Sequence, residues 1–262
     1  MKRVPIDNNR KDYPIELISY LEGAKLYDSS SSPEAKVQFI DKEEGYFLKI
    51  ASAKSLKREV TLTNYFYKKG VGPKVLAFFK KEETGYMITQ RVQGNDCTTA
   101  TYLSEPERLC GLLAESLRFL HSLDSSNCPV MNHTLLFLQK VIGDYSEERF
   151  NKELYTTFGN FQSAQEALEE VKKNGQLLQT DTLIHGDYCL PNVILNNWKF
   201  SKFIDFDSAG VGDRHVDIYS AIWSLGFNLG TNRYSQRFCD AYGRDEIDPE
   251  RLRVVAACNA LW

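Results

Sequence analysis

The chain has 262 residues, of which 42% are hydrophobic and 12% aromatic, and it carries a formal net charge of −3 at pH 7. This composition suits a globular protein with a full core, built as one large domain or as two lobes. The mild charge gives no sign of a nucleic-acid partner, and the lack of any apolar run of about 18 residues argues against a membrane-spanning helix.

Residues from about 15 to 92 are predicted to form a small β-rich region. Strand signals lie at residues 35–40, 46–50, 75–79 and 86–89. Turn residues between these segments predict two hairpins. A helix is predicted between residues 52 and 69, where apolar side chains recur at helical spacing before Gly70 and Pro73 end it.

The rest of the chain, from about residue 95, is predicted to be mainly helical. The clearest helix runs from Glu105 to Leu123 and carries a leucine stripe on one face. Further helices are predicted at residues 133–143, 161–174 and 213–225, and the last helix begins at Asp248-Pro249. We therefore predict an α+β protein with a small β-rich N-terminal lobe, residues 1–92, and a larger, mainly helical C-terminal lobe, residues 93–262.

Three polar side chains stand close together in the sequence near residue 190. Asp187 follows Leu183-Ile184 on a Gly-containing turn, and Asn192 comes five residues later, before another apolar run. Asp205 ends a further apolar run, and the Asn196-Asn197 pair between the two runs predicts a hairpin. Such a hairpin would fold Asn192 and Asp205 towards each other, with Asp187 nearby.

One amide oxygen and two carboxylates are the donor groups of a phosphotransfer site. Mg²⁺ prefers oxygen ligands and binds through one or two carboxylates beside substrate phosphates, so Asn192 and Asp205 are predicted to hold the metal. Asp187 then accepts the proton of an attacking hydroxyl. Protein kinases use a base, an amide and a carboxylate in this order, although His-Gly-Asp stands here in place of their His-Arg-Asp. A lone Asp is usually a turn former, so the prediction depends on the whole pattern.

The motif His185–Asn192, the pair Ile204-Asp205 and the segment Gly210–Asp217 together resemble the aminoglycoside phosphotransferase family, and its 3′-phosphotransferase branch in particular. The resemblance extends over nearly the whole chain but is specific only between His185 and Asp217. It implies a two-lobed, protein-kinase-like fold and the use of ATP with Mg²⁺. The sequence does not distinguish ATP from GTP.

Lys49 and Glu59 repeat the lysine–glutamate arrangement of kinases, in which the lysine contacts the α- and β-phosphates and the glutamate fixes its position. Lys49 lies between Leu48 and Ile50 on a predicted strand and points away from both. A lone lysine on a strand is usually solvated, and a glutamate on a helix usually lies at the surface. Both roles therefore depend on the kinase context.

A run of serines stands where a nucleotide kinase needs a flap over the phosphates. Ser30, Ser31 and Ser32 are predicted to bind phosphate oxygens through hydroxyl and amide groups. No Gly-rich motif accompanies them, and a flexible surface turn explains any one serine equally well. The resemblance alone implies that the backbone of Gln90 and Val92 binds adenine.

The resemblance also implies where a cationic acceptor would bind. An acidic insert carries Glu148 and Glu153, although a solvated helix face explains both equally well. The last helix departs from the family, because Asn259 and Ala260 stand where an acidic pair is usual, whereas the final aromatic is kept as Trp262. Each lost carboxylate removes a charge-assisted hydrogen bond of about 1.5–3 kcal/mol. We therefore expect weak aminoglycoside binding, or a preference for aminoglycosides with fewer amines on the affected ring, and we expect Asn259→Asp with Ala260→Glu to tighten the binding of kanamycin-type substrates.

Three further polar residues follow Asp205. Asp217 is expected to cap loop amides around the site, and His215 is expected to lie at the surface. Asp207 stands where 3′-phosphotransferases usually carry glycine, two residues after the metal aspartate. It either adds charge to the metal site or points to solvent.

The predicted function is ATP-dependent transfer of the γ-phosphate to a hydroxyl of a small molecule, with a 3′-type aminoglycoside as the first choice. A kinase for another small amino alcohol or sugar metabolite is the first alternative. A nucleotide-binding pseudoenzyme is the second, although the intact Asp187, Asn192 and Asp205 argue against it. The six cysteines show no metal-binding spacing, which predicts reduced thiols in a cytoplasmic protein. The sequence does not indicate an oligomeric state.

Overall fold

The computed structural model describes residues 3–7, 13–30, 35–151 and 157–262. The strands, numbered in chain order, are β1 (Val4–Ile6), β2 (Lys25–Asp28), β3 (Lys36–Asp41), β4 (Tyr46–Ser52), β5 (Val75–Lys81), β6 (Thr84–Gln90), β7 (Asn95–Asp96), β8 (Thr182–Ile184), β9 (Val193–Asn196), β10 (Lys199–Phe203) and β11 (Gly210–Gly212). The helices are α1 (Ile18–Leu21), α2 (Ala53–Lys68), α3 (Ala100–Leu103), α4 (Pro106–His121), α5 (His133–Ser146), α6 (Ala164–Asn174), α7 (His215–Leu229), α8 (Ser235–Tyr242) and α9 (Pro249–Asn259). The predicted α+β class is confirmed.

The chain forms two compact units, residues 1–102 with 191–208 and residues 103–190 with 209–262. The predicted division at residue 92 differs from these units in two respects. The first unit extends to Tyr102, and it also contains the hairpin of Asn192 and Asp205. The physical reason is strand pairing, because β7 pairs antiparallel with β9, and β9 pairs with β10.

The first unit is built on a six-stranded antiparallel sheet with the strand order β1-β2-β3-β4-β6-β5. Successive side chains of a strand point to opposite faces, and β4 shows this clearly. Leu48 is buried in an apolar cluster with Leu26, Ile40 and Ile88. Its neighbours Phe47 and Lys49 line a cavity instead, which confirms that Lys49 faces away from Leu48.

Helix α2 begins and ends through local signals. Ser52 is its N-cap, and the Ser52 hydroxyl accepts a hydrogen bond from the Ser55 amide at 3.3 Å. Gly70, with φ of 79°, ends the helix in a left-handed conformation. The buried face of the helix includes Leu56, Leu62 and Phe66, and it also carries Glu59.

The second unit is held by an apolar cluster to which α6, α7 and α9 contribute, with Leu168, Val216 and Val255 among its buried members. Helix α6 begins three residues later than predicted, because Ser163 is its N-cap and accepts a hydrogen bond from the Glu166 amide at 3.1 Å. Phe161 packs into the cluster instead of opening the helix. Among the described residues, no helix combines the length and the apolar character that crossing a membrane requires.

The hairpin β9–β10 turns at Asn197 and Trp198, whose φ angles are 49° and 61°. Two successive left-handed residues are typical of the tight turns that join antiparallel strands. The close approach of Gly94 to β9 holds the hairpin against the chain that leaves β6. A Cβ at Gly94 would lie 2.3 Å from the Leu195 carbonyl oxygen, and the φ of 116° at this position suits only glycine.

Gly94→Ala is therefore expected to lower the free energy of unfolding by about 3 kcal/mol or more, through strain and overlap. Urea denaturation monitored by fluorescence measures this change. Gly111→Ala is the matched control, since Gly111 lies within α4 and a Cβ there would meet nothing within 4 Å. The control should stabilise the protein by about 0.5–1 kcal/mol. Equal stability of the two variants would contradict the argument.

Candidate active site

A cavity of about 270 Å³ lies within the first unit. Alternate residues of β4 and of the neighbouring strand β6 form part of its wall. In the register of these two strands, Phe47 lies opposite Thr89 and Lys49 lies opposite Met87. Sequence reasoning missed most of the apolar wall, namely Val37, Phe47, Met87, Ile194 and Ile204. Their position relative to the predicted polar site residues could have identified them. Each lies one or two residues away from such a residue in the sequence, or opposite one on the neighbouring strand.

Lys49 connects two carboxylates in this cavity. Its Nζ atom lies 2.9 Å from Glu59 Oε1 and 2.9 Å from Asp205 Oδ1. Burial by itself would lower the pKa of the Lys49 ammonium, but Asp205 and Glu59 outweigh burial and raise that pKa above its usual value. The ammonium therefore stays charged and is available to bind phosphate oxygens.

The carboxylates around Lys49 outnumber it. Burial raises the pKa of Glu59 to about 7, and the negative charges of Asp205 and Asp207 act in the same direction, against the opposing effect of Lys49. Glu59 and Asp205 share the single ammonium of Lys49, so the negative charge around that ammonium is not fully balanced. Such a site favours the binding of a further cation.

Asn192 and Asp205, the predicted metal ligands, line the same cavity. The backbone carbonyl oxygen of Asn192 accepts a hydrogen bond at 3.0 Å from the amide of Ile204, the residue before Asp205. This bond holds the backbone of Asn192 close to that of Asp205. Asp205 has a φ of 66°, and its side chain is 45% exposed. No three His, Cys, Asp or Glu side chains form a metal cage within the described ranges. One carboxylate and one amide oxygen nevertheless fit Mg²⁺, which takes its remaining ligands from phosphates and water.

The predicted phosphate flap is described only in part, since Ser31 and Ser32 lie outside the described residues. The Ser30 hydroxyl donates to Asp28 Oδ1 at 2.7 Å and accepts from the Val37 amide at 3.0 Å, so it closes the β2–β3 hairpin. Ser29, which was not singled out, lines the cavity.

Gln90 and Val92, the predicted adenine-binding residues, also line the cavity. The Gln90 amide donates to the Lys74 carbonyl oxygen at 2.9 Å. That amide is therefore already engaged within the unit. The predicted recognition of adenine at this segment would therefore use other backbone groups.

Asp187 belongs to the second unit, where it is exposed on a loop between the half-buried Gly186 and the buried Tyr188. Gly186 makes the turn with a φ of 81°. The Asp187 amide donates to His185 Nδ1 at 3.3 Å, and the Leu190 amide donates to the Ser224 hydroxyl at 2.9 Å. These bonds fix the backbone on both sides of the exposed carboxylate.

Asp217 is the central acceptor beneath this loop. Its buried carboxylate accepts hydrogen bonds from the amides of His185 and Gly186, each at 2.7 Å, and lies 3.1 Å from His121 Nε2. The expectation that Asp217 caps loop amides is confirmed. A carboxylate that accepts several hydrogen bonds can remain charged although it is buried.

The expectation that His215 lies at the surface is wrong. His215 is buried, its Nδ1 lies 2.6 Å from Asp213 Oδ1, and its Nε2 accepts a hydrogen bond from the Asp248 amide at 2.8 Å. Burial would raise the pKa of Asp213, but hydrogen bonds from His215 and from the Gln179 amide outweigh burial and lower it. The pair links the start of α7 to the start of α9.

Two of the predicted acceptor residues are connected, because the Trp262 amide donates to the Asn259 backbone carbonyl oxygen at 3.4 Å. Glu148 is exposed, and Glu153 lies outside the described residues. The Asn259 side-chain amide donates to the Val255 carbonyl oxygen at 2.9 Å, within its own helix. Trp262 is 48% exposed, and Lys140 Nζ lies 3.8 Å from the centre of its ring.

Ala260 corrects one expectation about the acceptor site. It is fully buried in the apolar cluster of the second unit. A glutamate there would place an unpaired carboxylate in the core, which is strongly unfavourable. Ala260→Glu would therefore destabilise the unit instead of strengthening substrate binding.

Asp217→Asn is expected to lower the free energy of unfolding by about 2–4 kcal/mol, because the two amides lose a charged acceptor in a buried position. Urea denaturation measures the loss. Asp124→Asn is the matched control, since Asp124 is exposed and accepts hydrogen bonds from the amide and the hydroxyl of Ser126, two residues away. The control should change stability by no more than about 0.5 kcal/mol, and a similar value for Asp217→Asn would contradict the role of Asp217.

Comparison with known proteins agrees with this geometry. A family model described as the phosphotransferase enzyme family matches residues 25–255. A probable aminoglycoside 3′-phosphotransferase of Lactococcus lactis subsp. lactis is 46% identical over 251 residues, which cover 96% of this chain and 95% of the relative.

Two solved structures show the same fold at low identity. The crystal structure of an aminoglycoside-3′-phosphotransferase of type VIII has a TM-score of 0.79 at 20% identity, and covers 97% of this chain and 96% of its own. The structure of APH(3″)-Id from Streptomyces rimosus in complex with ADP and streptomycin has a TM-score of 0.74 at 20% identity, and covers 95% and 100%. These likenesses confirm the predicted two-lobed, kinase-like fold class. The chain therefore belongs to the phosphotransferase enzyme family, and its predicted resemblance to the aminoglycoside phosphotransferases is confirmed.

Proposed function

We propose that this phosphotransferase transfers the γ-phosphate of ATP to a hydroxyl of an aminoglycoside, of the 3′ type. The observation that carries the proposal is the placement of Lys49 between Glu59 and Asp205 in one cavity, at 2.9 Å from each. A fixed ammonium beside an acidic, partly exposed carboxylate is suited to a triphosphate with its metal. The names of the relatives supply the acceptor class.

The first unit supplies the nucleotide site in this proposal. Lys49 binds the α- and β-phosphates, and Glu59 holds it in place. Asn192 and Asp205 hold Mg²⁺, which, when bound, neutralises charge on the phosphate oxygens. The backbone of Gln90 and Val92 contacts the base, and the serine turn that includes Ser30 covers the phosphates. A solved relative with ADP bound supports the adenine nucleotide.

The second unit supplies the base. The Asp187 carboxylate orients the acceptor hydroxyl and takes its proton as the oxygen attacks the γ-phosphorus. Fixed neighbours suit this role, because the loop is held by Asp217 and Ser224 while the carboxylate stays exposed. Most of the rate enhancement then comes from positioning and charge neutralisation.

The end of α9 bears on which acceptors the enzyme would bind. Asn259 and Ala260 leave the end of α9 without the acidic pair that the family usually has, and Lys140 adds a positive charge over Trp262. We therefore expect weaker binding of acceptors with many ammonium groups. Glu148 and Glu153 remain candidates for binding them. The proposal places the enzyme in the cytoplasm, where thiols are kept reduced, and all six cysteines are free.

Asp187→Asn tests the function directly. The variant should lose phosphate transfer to an aminoglycoside panel by about 10³-fold or more, because an amide cannot accept the proton. Nucleotide affinity should stay near the wild-type value, since Asp187 acts on the acceptor. Turnover is measured by coupled release of ADP, with amino alcohols and sugars as a second panel. Wild-type enzyme that uses only the second panel would refute the acceptor, and near-wild-type turnover by the variant would refute the base.

The two predicted metal ligands should contribute unequally to Mg²⁺-dependent nucleotide binding. Asp205→Ala should weaken Mg²⁺-dependent nucleotide binding more than Asn192→Ala does, because a carboxylate brings a full charge to the metal and an amide only a dipole. Calorimetric titration with nucleotide at fixed Mg²⁺ measures both affinities. Equal affinity with and without the Asp205 carboxylate would contradict its assignment.

A further inference from the structure

The segment Asp205–Asp207 is fastened to helix α2 at three positions. Asp205 reaches the helix through Lys49 and Glu59. The Phe206 ring stacks on Phe66 of α2, with ring centres 4.2 Å apart and an angle of 9° between the planes. Asp207 Oδ2 accepts a hydrogen bond from the Ser55 hydroxyl at 3.2 Å. Each residue of the segment therefore has its own connection to one helix.

Ser55 and Glu59 are four residues apart on α2, so they lie on the same face of the helix. That face holds Asp207 through Ser55 and Lys49 through Glu59. Helix α2 therefore contacts the segment Asp205–Asp207 twice, directly through Ser55 and indirectly through Glu59 and Lys49. A shift of α2 along its axis would disturb both contacts together.

The charges around Asp207 strengthen its connection. Its carboxylate lies in a shallow groove along the start of α2. The groove is lined by Ser52, Lys54, Ser55, Lys57, Arg58 and Thr61. Three cationic side chains and the positive end of the helix dipole favour a negative charge at this place. Glycine, which the family usually has here, can make none of these contacts.

The conformation of Asp205 requires such support. Its φ of 66° lies in the left-handed region, which costs an aspartate free energy and persists only where the surroundings hold it. In the proposed function Lys49 binds phosphates and Asp205 binds the metal, so their ion pair must loosen when nucleotide enters. The contacts of Phe206 and Asp207 involve neither phosphate nor metal, and they remain.

We propose that Asp207, through Ser55, is a positioning residue that holds Asp205 in its left-handed, metal-binding conformation after Lys49 has turned to the phosphates. This inference rests on the proposed function, because it assigns Asp207 to the service of the metal ligand Asp205. Of the two possibilities that the sequence left open, the Ser55 contact contradicts an Asp207 side chain that points freely into solvent.

Calorimetric titration of the full chain with a non-hydrolysable ATP analogue, at several Mg²⁺ concentrations, tests the inference without turnover. Asp207→Ala and Ser55→Ala should each raise the Mg²⁺ concentration for half-maximal nucleotide binding about tenfold. The double variant should be no worse than either single variant, because both remove the same interaction. Ser55→Thr keeps the hydroxyl and should restore near-wild-type binding.

Thr61→Ala is the matched control on the same helix. The Thr61 hydroxyl donates only to the Lys57 carbonyl oxygen among the contacts described, at 2.9 Å, so its loss should leave the Mg²⁺ dependence unchanged. Asp207→Asn keeps an acceptor for Ser55 and serves if the alanine variants fold poorly. It should show a smaller shift than Asp207→Ala in the same direction.

The outcomes separate this inference from the proposed function. Single variants with wild-type Mg²⁺ dependence, or effects that add in the double variant, would overturn the positioning role while phosphate transfer by the wild type stands. A loss of thermal stability with unchanged Mg²⁺ dependence would also overturn it, since that result shows a structural role alone. Wild-type enzyme that binds the analogue with Mg²⁺ but transfers phosphate to no acceptor would refute the proposed function and leave this test intact.

Discussion

The ammonium of Lys49, held 2.9 Å from both Glu59 and Asp205, is the interaction on which the first unit depends. It joins a central strand, a helix and the β9–β10 hairpin, which are far apart in the sequence. Two carboxylates share one cation, so neither is fully neutralised. Burial, together with the negative charge of Asp205, raises the pKa of Glu59. The incomplete neutralisation favours the binding of a second cation in the cavity.

In the second unit, the carboxylate of Asp187 is exposed on a loop whose backbone is held by hydrogen bonds. Exposed loops are usually more mobile than the elements that they connect. Here the backbone amides of His185 and Gly186 are bound by the buried Asp217, which His121 also contacts. These hydrogen bonds hold the loop backbone next to the exposed Asp187. In the proposed function, a base held in this way needs little reorganisation during the reaction.

The packing around the last helix, α9, limits which side chains can be placed at its end. Ala260 fills a core position, so an acidic side chain there would cost stability before it could bind any ligand. Asn259 is used within its helix, and Trp262 already has a cation over its ring. The departure from the family is thus built into the packing of the second unit, and in the proposed function it would favour acceptors of lower positive charge.

The sequence alone determined the family and its phosphotransferase class, because Asp187, Asn192 and Asp205 form a motif that is recognisable by residue type, order and spacing. It also determined most helices and strands, since local apolar periodicity and caps such as Asp248-Pro249 act within a few residues. Only the tertiary structure decided which distant groups meet. The burial of His215, the buried position of Ala260 and the Ser55–Asp207 contact each depend on packing between segments remote in the chain, and no local pattern records such contacts.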